Sequence, residues 1–291
     1  MPALLASPTR IHRLSVMRQQ ELPAGLKPCF PHGRRKAFVL SYDDATEHDR
    51  RLVDIFNRYG LRASFHVNSG KLGQPGHIAR RELCALYRGH EVSCHSVTHP
   101  YLTSLDDDAV RREIADDRRA LEDLTGSSVR GLAYPFGAYD ARVMALLPEL
   151  GIEYARTAHC SAAFAIPQGF LEWHTTCHHN GAMELLPVFL GAQEPSMSLM
   201  TVWGHSYELD GIMSADRAKD WQYMEALCHR LHDQSDIHFA TIIDVVDYLN
   251  ALDLVDVGAS AVSNNSSRAV WVDWHGKINR IESGAALPLQ D

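Results

Sequence analysis

The feature that most constrains the fold of this chain is a regular alternation of short apolar runs with longer amphipathic segments. Apolar runs bounded by charge or glycine predict strands at 37–42, 63–67, 91–94, 131–133, 154–156, 199–203 and 238–242. Apolar residues at helical spacing predict helices at 49–59, 79–87, 106–124, 141–150, 220–231 and 244–252. Strands alternating with helices form βαβ units and a parallel sheet. About seven such repeats favour an α/β barrel, closed or nearly closed, over two domains.

The two ends of the chain depart from this pattern. Residues 1–35 hold several prolines and predict an irregular leader, and residues 36–257 form the predicted barrel. Residues 258–291 begin with a small polar stretch and continue with apolar runs at 269–274 and 277–281. These runs predict a linker and a small β-hairpin appendage, which is too short to have a core of its own.

Composition narrows the class of protein. The chain has 291 residues, 45% hydrophobic and 22% charged, as in globular proteins. A net charge of −8 without a basic patch argues against a nucleic-acid partner. The 6 cysteines form no CxxC pair, which favours reduced thiols. Because the apolar start is too short for a signal peptide and no run is long enough to span a membrane, we expect a cytoplasmic protein without a membrane partner. The sequence leaves open whether the protein forms a homo-oligomer.

Polar residues cluster where predicted strands end. The first strand ends in Asp43 and Asp44, and two carboxylates directly after a buried run need a partner or a function, although one could cap the next helix. The third strand leads to His95 and His99, whose spacing would place both imidazoles on one face of a helical turn that Pro100 ends. Two histidines and a carboxylate describe a catalytic divalent-metal site. In a chain with 17 histidines, coincidental spacing is the alternative.

Two further strand ends carry groups that could take part in chemistry. The fourth strand leads into Tyr134, Pro135 and Phe136, which form either an ordinary turn or a rigid one that holds a backbone N–H and aromatic walls over the site. The late strand ends in Trp203 and His205. A histidine there could be a general acid because its pKa lies near neutral pH, and a hydrogen-bonded structural histidine fits equally well.

These four segments, in this order, resemble the polysaccharide deacetylase family, carbohydrate esterase family 4 with its NodB-type domain. The similarity spans roughly residues 37–250 and implies a distorted (β/α)7 barrel with its site at the C-terminal strand ends. It implies that Asp44, His95 and His99 bind a divalent metal ion, most simply zinc, with cobalt, nickel or manganese as alternatives.

The resemblance also implies roles for the other residues. Asp43 would be the general base and His205 the general acid, with the Phe136 N–H facing the oxyanion. Tyr134, Pro135 and Trp203 would line the substrate pocket.

Two positions depart from the family pattern, and one motif is a poor match. Ala133 stands where the third motif has an arginine that braces the base, and Trp203 stands where a leucine lines the acetyl pocket. The fourth motif, which orients the acid, is matched poorly, and Glu172 with Trp173 is our candidate for it. A second metal cluster near 177–179 is not expected, because the first set already satisfies one ion.

The implied function is a metal-dependent hydrolase that removes N- or O-linked acetyl groups from a carbohydrate. The alternatives are an amidohydrolase acting on a small non-sugar amide such as a ureide, and a catalytically inactive glycan-binding protein. Trp271 and Trp274 are an odd number of residues apart and would face opposite sides of one strand, which argues against a tryptophan platform for sugars. We therefore expect short or soluble substrates.

Overall fold

The computed structural model of this chain describes residues 22–192, 196–212 and 219–289. Its strands are β1 Leu26–Cys29, β2 Lys36–Asp43, β3 Ala63–Val67, β4 Glu91–Cys94, β5 Gly131–Ala133, β6 Tyr154–Cys160, β7 Trp173–Thr175, β8 Cys177–His178, β9 Ser198–Gly204, β10 Ile237–Ala240, β11 Val255–Val257, β12 Ala261–Asn264, β13 Val270–Trp274, β14 Lys277–Ile281 and β15 Ala286–Pro288. Its α-helices are α1 Asp49–Arg58, α2 Leu83–Leu86, α3 Asp107–Thr125, α4 Ala141–Leu146, α5 Ala182–Gly191, α6 Trp221–His232 and α7 Ile242–Leu252.

The main sheet is parallel and almost closes on itself. Its strands run in the order β7-β6-β5-β4-β3-β2-β9-β8. The consecutive strands β7 and β8 pair with β6 and β9 respectively, so the segment 173–178 joins the two ends of the sheet. Strand β10 pairs with the first half of β2, and β3 pairs with its second half. The predicted α/β barrel is confirmed. If residues 173–178 are counted as one strand and β10, which lies off the closed path, is left out, the barrel has seven strands.

Alternation along β2 shows how the barrel holds its polar groups. Phe38, Leu40 and Tyr42 belong to the apolar cluster that includes residues of the surrounding helices, whereas Ser41 and Asp43 have the opposite strand parity. Every residue of β2 is buried. On β2 the buried polar side chains therefore lie on one face of the strand, near its C-terminal end.

Helix boundaries differ from the predicted ones where proline or a local cap intervenes. The predicted helix at 141–150 ends as α4 at Leu146, because Pro148 begins a separate 3₁₀ turn. The predicted helix at 79–87 reduces to one 3₁₀ turn followed by α2. Helix α3 runs as expected, with Asp106 accepting a hydrogen bond from the Ala109 amide at its start and Gly126 in the left-handed region at its end.

The C-terminal appendage contains the predicted hairpin and more. Strands β13 and β14 pair antiparallel, as expected, and β1 adds to the other edge of β13. Residues 26–29 are thus a strand, contrary to the irregular structure expected of the leader; residues 1–21 lie outside the described part. Strands β11, β12 and β15 form a second small sheet, which the sequence did not predict. Among the described residues, no helix is both long enough and apolar enough to cross a membrane.

Candidate active site

Asp44, His95 and His99 meet at the C-terminal ends of β2 and β4. The Nε2 atoms of both histidines lie 3.8 Å from Asp44 Oδ1, and the two imidazole centroids are 4.7 Å apart. The three side chains can each offer one ligand atom to a single ion. The structure therefore brings together the set that the motifs predicted.

The loop after β4 forms this arrangement without the helical turn that we expected. Ser96 and His99 both have left-handed backbone conformations, with φ of 65° and 64°. Ser96 Oγ accepts a hydrogen bond from the His99 amide at 3.0 Å, which closes the loop. The expectation of a helical face shared by the histidines is wrong, because these two residues reverse the chain before a helical hydrogen bond forms.

The orientation of His95 leaves one nitrogen free to coordinate. Its Nδ1 donates a hydrogen bond to the Ala133 carbonyl at 2.8 Å, so Nε2 carries the lone pair that faces Asp44. Burial lowers the pKa of His95 to about 4, which keeps the imidazole neutral. The backbone of His95 is held in turn by Asp117 on α3, whose Oδ2 accepts from the His95 amide at 3.0 Å. Asp117 was missed by the sequence analysis.

The donor set fits a divalent cation. Asp44 Oδ1 is buried and has no hydrogen-bond partner within the described ranges, so it needs a positive charge. The nearest cation is the Lys71 ammonium, which lies 3.8 Å from the same oxygen. Two imidazole nitrogens and one carboxylate oxygen are ligands typical of zinc and other first-row metals.

Asp43 lies beside this cluster and points into the barrel. Its Oδ2 accepts a hydrogen bond from Arg156, and His66 Nδ1 lies 3.3 Å from its Oδ1. Burial alone would raise the pKa of Asp43, but the positive charge of Arg156, with further contributions from His95 and His66, holds it well below its usual range. Asp43 is therefore an ionised carboxylate, and no described residue makes a hydrogen bond to its Oδ1.

Arg156 bonds to Asp43 from the strand position beside Ala133, the residue that stands where the third motif has an arginine. In the pairing of β5 with β6, Ala133 and Arg156 are direct Cα partners, so the guanidinium reaches Asp43 from the neighbouring strand. Its side chain is 1% exposed, and its guanidinium carbon lies 4.9 Å from the ring centroid of Trp203. The available signal was a charged residue at the end of a predicted buried strand, the same signal that drew attention to Asp43.

His205 faces one carboxylate oxygen of Asp44 and His95 faces the other. The Nε2 atom of His205 is 3.9 Å from Asp44 Oδ2, and its Nδ1 faces Glu208 Oε1 at 3.4 Å. Burial would lower the pKa of His205, but the carboxylates of Glu208, Asp43 and Asp44 raise it above its usual value. The imidazole therefore stays protonated to higher pH than a free histidine.

Glu208 is the acidic partner that the sequence analysis missed. It lies three residues after His205 in a 3₁₀ turn, and its Oε2 accepts the His205 amide at 3.1 Å. His178 Nε2 is 2.9 Å from the same oxygen. Burial raises the pKa of Glu208, and the hydrogen bonds from His178 and His205 lower it further than burial raises it. An acid at i+3 after a strand-end histidine is the signal that could have identified it.

Glu172 and Trp173 are not brought to His205. Glu172 accepts a hydrogen bond from the Tyr139 hydroxyl at 2.6 Å, and Trp173 is fully buried with its indole N–H donating to Thr201. Their described contacts therefore belong to the wall around β7, and Glu208 is the carboxylate that faces His205.

The proposed pocket residues divide into two groups. Phe136 and Trp203 border the cluster: the Phe136 ring lies 4.4 Å from that of His99, and the Trp203 ring lies 5.6 Å from that of His205. The Phe136 amide has no acceptor among the described residues and can face an incoming oxyanion. Tyr134 and Pro135 are buried, and the Tyr134 hydroxyl donates to the Leu171 carbonyl, so these two support the turn from below.

A second group of ligand-type atoms comprises His178, His205 and Glu208. Glu208 Oε2 is already within 2.9 Å of His178 Nε2, so a hydrogen bond between these two side chains accounts for the arrangement. The backbone at Gly204 also packs closely against His179, because a Cβ on Gly204 would lie 2.1 Å from His179 Nδ1. The group is explained as support for His205.

Comparison with known proteins agrees with this geometry. Residues 31–155 match the family model described as polysaccharide deacetylase. Over that segment the chain is similar to the polysaccharide deacetylase family, and the resemblance inferred from the motifs is confirmed. The matched segment contains Asp43, Asp44, His95, His99 and Phe136, and it ends one residue before Arg156.

Similar sequences carry names of deacetylases. The chain is 29% identical over 133 residues to peptidoglycan-N-acetylglucosamine deacetylase PgdA of Listeria monocytogenes, covering 44% of this chain and 28% of that protein. It is 23% identical over 142 residues to chitin deacetylase 1 of Cryptococcus neoformans, covering 48% and 30% respectively. The chain thus spans about a third of the length of these relatives.

Solved structures support the fold. A protein of the polysaccharide deacetylase type from Mycobacterium smegmatis superposes with a TM-score of 0.58 at 18% identity, covering 80% of this chain and 97% of that one. A mutant of BA3943, a carbohydrate esterase family 4 pseudoenzyme from Bacillus anthracis, superposes with a TM-score of 0.51 at 17% identity, covering 76% and 70%. Since the same barrel occurs in a pseudoenzyme, activity must be argued from the site.

Proposed function

We propose that this protein is a metal-dependent hydrolase that removes an N- or O-linked acetyl group from a carbohydrate. The observation that carries the proposal is the meeting of three kinds of group in one place. A ligand set of Asp44, His95 and His99 lies next to an ionised carboxylate, Asp43, and next to an imidazole, His205, whose pKa is raised above its usual value despite burial. Metal-assisted hydrolysis of an acyl bond uses a cation site, a base and an acid in this relation.

A divalent cation, in our proposal zinc, would be held by Asp44, His95 and His99, and it would polarise the acyl carbonyl and make water more acidic. Asp43 then takes the proton of the attacking water. Its Oδ2 is fixed by Arg156, which leaves Oδ1 without a hydrogen bond in the described part of the chain and able to accept that proton. The ion pair orients the base and leaves one oxygen for chemistry.

His205 and Phe136 act on the two ends of the bond that breaks. The Phe136 amide donates a hydrogen bond to the carbonyl oxygen as negative charge develops there. Protonated His205, held by Glu208, gives its proton to the leaving amine or alkoxide. The products are acetate and the free amino sugar or hydroxyl.

Trp203 favours a small acyl group. Its ring lies against the Arg156 guanidinium, and its indole nitrogen lies 3.4 Å from Cys160 Sγ. These contacts fix a large side chain beside the base, and we propose that this side chain restricts the acyl group to one about the size of acetyl.

The test is release of acetate by the purified protein from acetylated monosaccharides, chitooligosaccharides and O-acetylated xylooligosaccharides. We expect release from at least one of these, loss of activity with a chelator, and recovery with added zinc. A small ureide such as allantoin belongs in the same panel as the non-sugar alternative. Turnover of the ureide alone would overturn the sugar assignment, and activity that resists complete metal removal would overturn metal dependence.

The inactive alternative deserves a direct comparison, since a pseudoenzyme shares the fold. The residues that we propose as ligands, base and acid are all present here, and Asp44 Oδ1 and Asp43 Oδ1 are buried without hydrogen-bond partners in the described residues. Retaining such groups costs stability unless they bind something. This cost supports an active site.

A further inference from the structure

Two aromatic side chains form an exposed surface at the edge of the site. Tyr101 and Phe136 are 51% and 53% exposed, and their rings stack with centroids 4.0 Å apart and planes 12° from parallel. The other large hydrophobic side chains exposed in the described ranges are aliphatic: Val188, Ile212, Leu254 and Ile278. An aromatic pair that stays half exposed after stacking is therefore confined to the rim of the candidate active site.

The backbone holds this pair in place. Phe136 adopts a left-handed conformation, with φ of 58°, inside the turn Pro135–Gly137. A bulky residue in that region is strained and persists only where its surroundings fix it. Tyr101 follows Pro100 directly after the ligand His99, and the Phe136 ring lies 4.4 Å from the ring of His99. The pair is thus built from the same two loops as the ligand set and the oxyanion donor.

Its chemistry suits one kind of occupant. An exposed aromatic surface next to a binding site is typical of ligand recognition. The apolar C–H face of a pyranose ring packs on such a surface, and its hydroxyl groups stay in water. The Tyr101 hydroxyl makes no hydrogen bond within the described ranges, so the ring faces, and not this hydroxyl, would carry the contact with a sugar. Among the described residues no lysine or arginine lies over either ring, so an anionic occupant is disfavoured.

We propose that Tyr101 and Phe136 form a subsite for the pyranose ring next to the one that carries the acetyl group. This inference rests on the proposed function, because it places the acetylated sugar at the ligand set and its neighbour beyond His99. One stacked pair accommodates one ring. Activity should therefore rise from a monosaccharide to a disaccharide or trisaccharide and then level off, which refines the expectation of short substrates.

The test compares Tyr101→Ala with Tyr101→Phe, which keeps the ring, and with Val188→Ala, which alters an equally exposed side chain on α5. The measured quantity is the ratio of kcat/KM for chitotriose to that for N-acetylglucosamine. In Tyr101→Ala we expect this ratio to fall about 2- to 10-fold, mainly through KM. Tyr101→Phe and Val188→Ala should keep the ratio of the unaltered protein.

Binding of chitotriose to the metal-free protein, measured by calorimetry, separates the subsite from the reaction. Binding that weakens about 2- to 10-fold in Tyr101→Ala supports the subsite even if no sugar is turned over, an outcome that would defeat only the proposed function. A ratio and an affinity that are both unaffected by Tyr101→Ala overturn the subsite. A ratio that continues to climb steeply beyond the trisaccharide also overturns it, because a longer binding surface would then be required.

Discussion

Two parts of the site differ in how their residues reach their positions. The ligand part, Asp44, His95 and His99, uses two loops that follow strands close in sequence, and each residue acts through its own donor atom. The supporting part, Arg156 and Glu208, acts only through other residues: Arg156 holds Asp43, and Glu208 faces His205. The ligand residues must stand at the positions that the motifs give. The supporting residues need only place a charged group beside the residue that they support.

Arg156 shows why a supporting residue can come from another strand position, whereas a ligand residue cannot. A ligand atom must lie within bonding distance of one point, so its backbone origin is fixed. A bracing guanidinium ends a long side chain, and Arg156 reaches Asp43 from the strand position directly paired with Ala133. The Arg156 guanidinium also lies against Trp203. The arginine that stands beside Ala133 is therefore in contact with the tryptophan that stands where the family has a leucine.

The largest effect is expected where the ligand part is removed. The double change His95→Ala plus His99→Ala should reduce bound metal from about one ion per chain to none and reduce activity to background, because one carboxylate cannot hold the ion. Elemental analysis and acetate release measure this. The matched control is His159→Ala plus His174→Ala, a neighbouring histidine pair with rings 4.6 Å apart outside the ligand set. Equal metal loss in the control, or none in the test variant, would contradict the assigned site.

The two adjacent aspartates distinguish a ligand from a base within one strand end. Asp43→Asn should keep the metal while turnover falls by roughly 10²–10⁴-fold, because the proton acceptor is lost. Asp44→Asn replaces an anionic ligand by a neutral one, so affinity for the metal and activity should fall together. Excess metal should partly restore Asp44→Asn and leave Asp43→Asn unchanged. The reverse pattern in a metal titration would exchange the two roles, and no effect of either change would reduce this strand end to a helix cap.

The ligand residues and the supporting residues also differ in how well the sequence predicts them. The barrel followed from the alternation of strands and helices, and the ligand set followed from residue types at strand ends. The path from His95 to His99 could not be predicted, because left-handed backbone at Ser96 and His99 depends on hydrogen bonds that the loop makes in three dimensions, among them the contact from the His99 amide to Ser96 Oγ.

Supporting residues were harder to predict because their partners are distant in sequence. Arg156 and Asp43 are separated by 113 positions, and only the pairing of β5 with β6 reveals that Arg156 lies beside Ala133. Strand β1 was missed for a similar reason: its partner, β13, lies at the other end of the chain. Glu208 was within reach, at three residues from His205, but its role depends on a 3₁₀ turn that the sequence analysis did not assign.

A third prediction tests whether Asp43 needs only a guanidinium beside it, whichever of the two paired strand positions supplies that group. Arg156→Ala should lower kcat by roughly 10- to 100-fold and leave metal content intact, because Asp43 loses its orientation and its charged partner. Adding Ala133→Arg to that variant returns a guanidinium to the paired strand position and should restore part of kcat. Arg156→Lys should be intermediate, since an ammonium cannot reproduce the planar guanidinium.

The control for this exchange is Ala133→Arg in the otherwise unaltered protein, where two guanidinium groups would compete for Asp43 and activity should not increase. Steady-state rates and metal content on all four variants complete the cycle. If Arg156→Ala loses its metal, Arg156 belongs with the ligand part. If Ala133→Arg fails to raise the activity of Arg156→Ala while both proteins stay folded, then the strand position matters and support is less movable than we infer.

The smallest effect is expected at Glu208, because His205 keeps its place when that carboxylate is neutralised. Glu208 raises the pKa of His205, so Glu208→Gln should lower it, and the protonated acid should be lost at a lower pH than in the unaltered protein. The alkaline limb of the kcat/KM profile should therefore move toward lower pH, with a loss of about 10-fold on that side and little change below it. Glu172→Gln is the matched control, since its carboxylate bonds to Tyr139 and should leave the limb in place. A limb that moves only in Glu172→Gln would return the orienting role to the residue that the motif search favoured, and a limb that moves in neither would show that the acid in turnover is not His205.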